Sequence, residues 1–195
     1  HLDGEETLLS RLPSTALTSG LDFRHEWGQR AWRFSGDVST NQVFGDPEAI
    51  TRLQRSSARY FNRPDAGYLG VDEDATSMIG YATALEVAKQ SGLWRGSASF
   101  NATSPSYEVN DLGFQTTADR LEMSGNVGYE QPRSSRLIRR WSLRVGGASR
   151  WNYGGDRIAT DANMFGNLQF TSYHGINWRV SPGFSSLNDP LTGGG

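Results

Sequence analysis

Hydrophobic and polar positions alternate with a period of two along most of the chain, and that pattern predicts strands rather than helices. From 121 to 129, Leu121, Met123, Val127 and Tyr129 fall on one side with Gly125. Glu122, Ser124, Asn126, Gly128 and Glu130 fall on the other. Trp141, Leu143, Val145 and Trp151 alternate with Ser142, Arg144, Arg150 and Asn152. Trp94, Ala98, Phe100 and Ala102 alternate with Arg95, Ser97, Ser99, Asn101 and Thr103. Trp32, Phe34 and Val38 alternate with Arg33, Ser35, Asp37 and Ser39, and Ile176, Trp178 and Val180 with Asn177, Arg179 and Ser181. Weaker alternation runs over 15–25, 76–88 and 162–173. Together these segments predict roughly eight strands, most about 10 residues long, the length a tilted membrane strand needs.

The connections alternate in length. Short turns are expected around Trp27-Gly28-Gln29, at Gln90-Ser91-Gly92 and at His174-Gly175, and a middling one at Gln131-Pro132-Arg133-Ser134. Long loops are expected over roughly 41–75 and 104–117, with a glycine-bearing loop at Tyr153-Gly154-Gly155-Asp156 and a last loop from Pro182. In a meander alternate connections lie at opposite ends, so the long loops gather at one end. Short turns at one end and long loops at the other are features of outer-membrane barrels. The 130–139 turn fits this scheme least well.

One helix is expected inside the first long loop. Asp46 suits the N-cap, Pro47 the first helical position and Glu48 the positive end of the dipole, and the helix is expected to run to about Tyr60. Arg52, Arg55, Arg59 and Arg63 then form one basic stripe, and Ile50 and Leu53 sit on another side. The stripe reads either as a solvated face of an external loop or as a candidate ligand-binding face. In the second reading the loop folds into a barrel mouth or lumen, its guanidinium groups facing acidic partners or an anionic solute.

Composition narrows the class. Only 36% of residues are hydrophobic, yet the chain holds 23 Gly, 6 Trp, 7 Tyr and 9 Phe, which suits strands with one apolar and one polar face better than a two-layer soluble core. The net charge of -2 offers no electrostatic case for nucleic acid as a partner. No segment approaches the roughly 20 apolar residues of a membrane-spanning helix. Cysteine is absent, which removes disulfides, thiolate metal sites and cysteine nucleophiles. The aromatics Trp27, Trp32, Trp94, Tyr129, Trp141, Trp151, Tyr153 and Tyr173 sit near strand ends, where girdles at two membrane interfaces would place them. A soluble antiparallel barrel or sandwich with aromatics in its core gives the same period.

Two segments carry a family resemblance. Gln54-Arg55-Ser56-Ser57-Ala58-Arg59-Tyr60-Phe61-Asn62-Arg63-Pro64-Asp65 is one, and Ser104-Pro105-Ser106-Tyr107-Glu108-Val109-Asn110-Asp111-Leu112-Gly113-Phe114 is the more specific. Both resemble the Gram-negative outer-membrane barrel domain of the domain of unknown function 5916 type, found in large proteins behind a family-nine-like carbohydrate-binding domain. The resemblance covers most of the chain and implies an outer-membrane location, outer-membrane lipid as partner and a larger barrel. It implies no catalytic residue. Any contact with carbohydrate would run through a domain absent from this chain. The chain opens at His1-Leu2-Asp3 and closes at Gly193-Gly194-Gly195, and both ends read as cuts through a longer chain.

Candidate chemistry is sparse. His1, His25 and His174 belong to no spaced metal pair, and no nucleophile elbow or phosphate loop occurs. Asp72, Glu73 and Asp74 lack the spacing of a calcium loop and read as a solvated turn. Asn110 and Asp111 read as turn formers. Gly20, Gly36, Gly80, Gly96, Gly125 and Gly166 lie within strands and mark bulges, bends or close packing. The sequence is read as an all-β, antiparallel up-and-down meander with one short helix in a long loop, part of a transmembrane β-barrel and a fragment of a single barrel domain spanning 1–195. Strands are expected over roughly 15–40 and 76–182. The expected role is non-enzymatic, without cofactor or metal: a surface or transport platform contacting solutes or partner proteins. The alternative is a soluble β-barrel or β-sandwich that binds a carbohydrate or apolar ligand.

Overall fold

The computed structural model describes residues 12–64, 66–109, 117–131 and 135–184. Asn110 and Asp111, which the sequence reads as turn formers, the 132–134 stretch, Asp65, His1 and both chain ends lie outside the described residues. Eight strands form one sheet in the order β1 to β8: β1 Thr15–Trp27, β2 Trp32–Phe44, β3 Ser77–Lys89, β4 Trp94–Thr103, β5 Arg120–Gln131, β6 Ile138–Trp151, β7 Arg157–Phe170 and β8 Gly175–Val180. Every neighbouring pair is antiparallel. β1 and β8 are edges and do not pair with each other, so the sheet is open.

Strand lengths of 13 residues in β1 to β3 and 14 in β6 and β7 exceed the expected length, whereas β8 has 6. β2 runs on to Phe44 and β5 begins at Arg120, so the long loops occupy 45–76 and 104–119. Both share one end of the sheet with the 152–156 loop. The opposite end carries the short turns, and the connection between Gln131 and Ile138 lies there too.

Register and alternation assign each strand residue to a face. Val127, Val145, Met164 and Val180 form one transverse row, and Met123, Phe100, Leu85 and Gly36 another. These rows belong to an apolar face that includes Leu17, Leu21, Phe34, Val38, Ile79 and Trp178. The face is open: Leu21 is 72% exposed, Ile79 61% and Val145 45%. No Asp, Glu or Arg stands on it within the regular register; the two register shifts of β6 lie at its ends, beside Arg139 and Arg157. Its one ammonium, Lys89, lies at the turn end and donates to the carbonyls of Ser91 and Trp94 at 2.5 and 3.0 Å. There the aromatics meet in pairs: Trp27 stacks on Trp32 at 6.1 Å, and Tyr129 lies 4.9 Å from Trp94 and 5.1 Å from Trp141. At the loop end Tyr81 meets Tyr153 edge-on at 6.3 Å.

The helix α1 spans Pro47–Gln54 and stops short of the expected Tyr60. Asp46 stands at the N-cap position without a side-chain bond to the helix, and Pro47 opens the first turn. After Gln54 the chain curls back on itself. The amides of Arg59 and Tyr60 both donate to the carbonyl of Ser56 at 2.9 Å, and Tyr60 takes a φ of +49°. The Gln54 side chain accepts from the amide of Asp72 at 2.8 Å and donates to its carbonyl at 3.2 Å, which fixes the returning strand of the loop. Ile50 is fully buried against Val43 and Met78, with Leu53 and Ala75 around them. Val43 and Met78 belong to the polar face, so α1 packs on that side of the sheet.

Candidate functional site

The polar face carries the carboxylates and guanidiniums of the regular strands, and they pair both along and between strands. Arg33 reaches Glu86 at 2.6 Å, and Arg24 reaches Glu26 at 2.5 Å. Arg120 and Arg150 both meet Glu122 at 2.8 Å, and Arg150 also meets Asp161 at 2.7 Å. Small polar pairs fill between them: Ser99 with Ser124 at 2.7 Å, Asn126 with Ser97 at 2.8 Å and Asn167 with Asn177 at 2.5 Å. The ion pairs of Arg33 and Arg150 are exposed or half-exposed, each worth about 0–1 kcal/mol. Their value is in setting register and keeping one face wet.

At the loop end this face is covered. Residues Ser104–Val109 cross over β3, and Gly80 makes room: a Cβ there would lie 2.3 Å from the backbone nitrogen of Tyr107. Tyr107 then meets Ser39 of β2 through a 2.7 Å hydroxyl contact, and Asn41 donates to the carbonyl of Glu108 at 2.5 Å. The loop over 45–76 lies against it through Arg59.

The four candidate arginines part company because α1 is short. Arg52 stays exposed on the helix, and Arg55 reaches Glu73 at 2.6 Å with both side chains exposed. Arg59 is buried, 2% exposed, where it pairs with Glu108 and donates to the carbonyl of Tyr107 at 2.7 Å and the hydroxyl of Ser56 at 3.0 Å. Burial pulls the Arg59 pKa below its ordinary value, and the adjoining Glu108 carboxylate pushes back. Arg63 pairs with Asp119 at 2.8 Å, their side chains 6% and 3% exposed.

Asp119 is the junction that sequence reasoning missed. One carboxylate oxygen accepts from Arg63 and, at 2.5 Å, from the hydroxyl of Tyr68. The other accepts from the amide of Tyr153 at 2.9 Å. The Tyr68 ring covers Gly154, where a Cβ would fall 2.3 Å from its edge. A single carboxylate therefore ties together all three long connections. Burial, with Asp119 beside it, raises the Tyr68 hydroxyl pKa well above its ordinary value. Asp119 has a φ of +56° and stands immediately before β5, and its partners lie 34 to 56 residues away in sequence, so no local pattern marks it.

The chain matches the family described as domain of unknown function (DUF5916) over residues 16–189. It belongs to that family. No curated protein and no solved structure matches it.

This DUF5916 domain holds no cluster of His, Cys, Asp and Glu able to grip a metal ion among the described residues. The acidic run is a turn: Glu73 pairs with Arg55, and the amide of Asp74 bonds the side chain of Asp72 at 3.1 Å. His25 stacks on Trp27 at 5.8 Å, and His174 meets Ser172 at 3.1 Å.

Proposed function

We propose that this sheet is a wall segment of a larger outer-membrane β-barrel, its apolar face toward lipid and its polar face toward the lumen. The three long connections fold over the lumen as a cap at one mouth. The observation that carries this reading is the segregation of charge. An open face of Leu, Ile, Val, Phe and Trp that excludes carboxylates and guanidiniums suits hydrocarbon, where a guanidinium near the midplane costs about 2–4 kcal/mol and a carboxylate less. Lys89 and the paired indoles at the turn end suit the headgroup level.

The direction of loop packing separates this reading from a soluble ligand-binding barrel. A soluble barrel turns its apolar face inward and leaves the polar face in solvent. Here α1 and the 104–109 segment lie on the polar face, as lumen-filling loops would. Edge strands β1 and β8 leave backbone groups unpaired, which lipid does not tolerate, and further strands of the larger barrel complete them. The role that fits is passive: a surface or transport platform in the Gram-negative outer membrane whose cap meets solutes or partner proteins through Arg52 and Arg55. The sheet supplies a wall rather than a catalytic centre.

The test is to refold the chain with and without lipid vesicles and follow size by light scattering and structure by circular dichroism. Strand structure that forms only with lipid or detergent supports the reading. A monodisperse monomer that melts cooperatively in plain buffer overturns it.

A further inference from the structure

One transverse row of the polar face differs from the rest. Register places Arg95, Gly128, Arg144, Phe165 and Arg179 side by side across β4 to β8. Elsewhere on this face Arg24, Arg33, Arg120 and Arg150 meet carboxylates, and Arg140, near the turn end of β6, meets none among the described residues. In this row only Arg95 meets one, reaching Glu130 at a loose 3.8 Å with both side chains about half exposed. Arg144 and Arg179 have no ion pair among the described residues, and both are exposed. Phe165 stands between them, 38% exposed, whereas Val43 and Met78 on the same face are buried beneath α1. Gly128 lets Arg144 lie across β5: a Cβ there would sit 3.3 Å from the guanidinium Nε. Arg95, Gly128, Glu130, Ser142, Arg144 and Phe165 help line a cavity of about 140 Å³.

The geometry points to a binding site for an organic anion with a flat apolar body. Arg144 takes its phosphate or carboxylate group, Arg95 and Arg179 add charge from either side, and the ring of Phe165 takes the flat body. The chemistry follows from the parts. A guanidinium presents a planar fork of donors that matches an oxyanion. An aromatic face half open to water gains by being covered. Flanking strands stand roughly 10 Å apart across Phe165, so a small ligand can touch the ring and one guanidinium at once. The site stands on the polar face alone and does not depend on what covers the apolar face.

The experiment holds the chain in a non-ionic maltoside detergent, which neither competes for arginine nor requires the apolar face to be in lipid. Phenyl phosphate, inorganic phosphate and benzyl alcohol are titrated separately by isothermal titration calorimetry. Phenyl phosphate is expected to bind more tightly than either of the others. Arg144→Gln and, on the edge strand, Arg179→Gln are each expected to weaken it, Arg144→Gln by about tenfold or more. Phe165→Ser should abolish the preference over inorganic phosphate, and Arg30→Gln, in the exposed turn between β1 and β2, should change nothing. The use of two arginine variants keeps the test decisive if one of them misfolds by circular dichroism. Equal binding of phenyl and inorganic phosphate by the unaltered chain, or an affinity for phenyl phosphate that survives both arginine changes, overturns the assignment.

Discussion

The two faces of this sheet share every backbone hydrogen bond and differ in almost everything else. On one, Val127, Val145, Met164 and Val180 form a row that no other layer covers among the described residues, and Leu21 and Ile79 stand open. On the other, guanidiniums meet carboxylates strand by strand, and the long connections fold down upon them. The cores of ordinary soluble sheets lie under the apolar face. Here the small buried cluster of Val43, Ile50 and Met78 lies on the polar side. Among the described residues, the layer that covers this sheet lies on its polar side.

The largest effect is expected in the cap on the polar side. Asp119→Ala takes from Arg63 its carboxylate partner in a site where its side chain is 6% exposed, and loss of one partner of a buried pair costs about 3–5 kcal/mol. Denaturant unfolding in detergent measures it. If the cap unfolds separately from the sheet, hydrogen exchange will show the loss confined to 45–76, 104–119 and 152–156. A shift under about 1 kcal/mol would mean that the three connections are held by something other than this carboxylate.

A second comparison sets the faces directly against each other. Val145→Arg, at mid-strand on the apolar face, should cost about 2–4 kcal/mol for the chain folded in lipid. Asn126→Arg, one residue along from the cross-strand partner Val127 and on the polar face, should cost under about 1 kcal/mol. Similar costs at both positions would dissolve the distinction between the faces. Next in size, Gly80→Ala places a methyl group 2.3 Å from the backbone of Tyr107, and the clash should cost about 1–3 kcal/mol. It should free the 104–109 crossing, read as faster amide exchange at Tyr107 and Glu108.

The smallest effect concerns pH. The Tyr68 hydroxyl has a folded pKa raised above its ordinary value by burial and Asp119. Its contribution is therefore fully present below about pH 10 and is lost as pH rises through the folded value. Alkaline titration should loosen the cap, and Tyr68→Phe should flatten that dependence while costing some stability at neutral pH. An unchanged alkaline limb in Tyr68→Phe would assign the dependence to another group.

Much of the sheet was legible from sequence because a strand declares its faces by alternation. Trp141, Leu143 and Val145 do share a side with Leu121, Met123 and Val127, and Arg144 and Glu122 lie opposite. Loop asymmetry likewise placed the three long connections at one end. The cap was not legible. A spacing of three and four suggested one stripe from Arg52 to Arg63, but that inference needs a helix reaching Tyr60, and the helix stops at Gln54. Beyond it, the direction of Arg59 and Arg63 is decided by Glu108 and Asp119, which approach from a different loop. Long-range pairing of this kind leaves no period behind. The row of Arg95, Arg144, Phe165 and Arg179 was hidden for the same reason, since it exists only once five strands are in register.

The most direct test of the account is site-directed spin labelling along β5. The chain has no cysteine, so single Met123→Cys, Ser124→Cys, Asn126→Cys, Val127→Cys and Gly128→Cys variants can each carry one nitroxide without background. With the protein in lipid vesicles, accessibility to oxygen reports hydrocarbon, and accessibility to a water-soluble nickel chelate reports the aqueous side. The account predicts a period of two, with oxygen contact at 123 and 127 and nickel contact at 124, 126 and 128. Uniform nickel contact at all five positions, or alternation in the opposite phase, would contradict it.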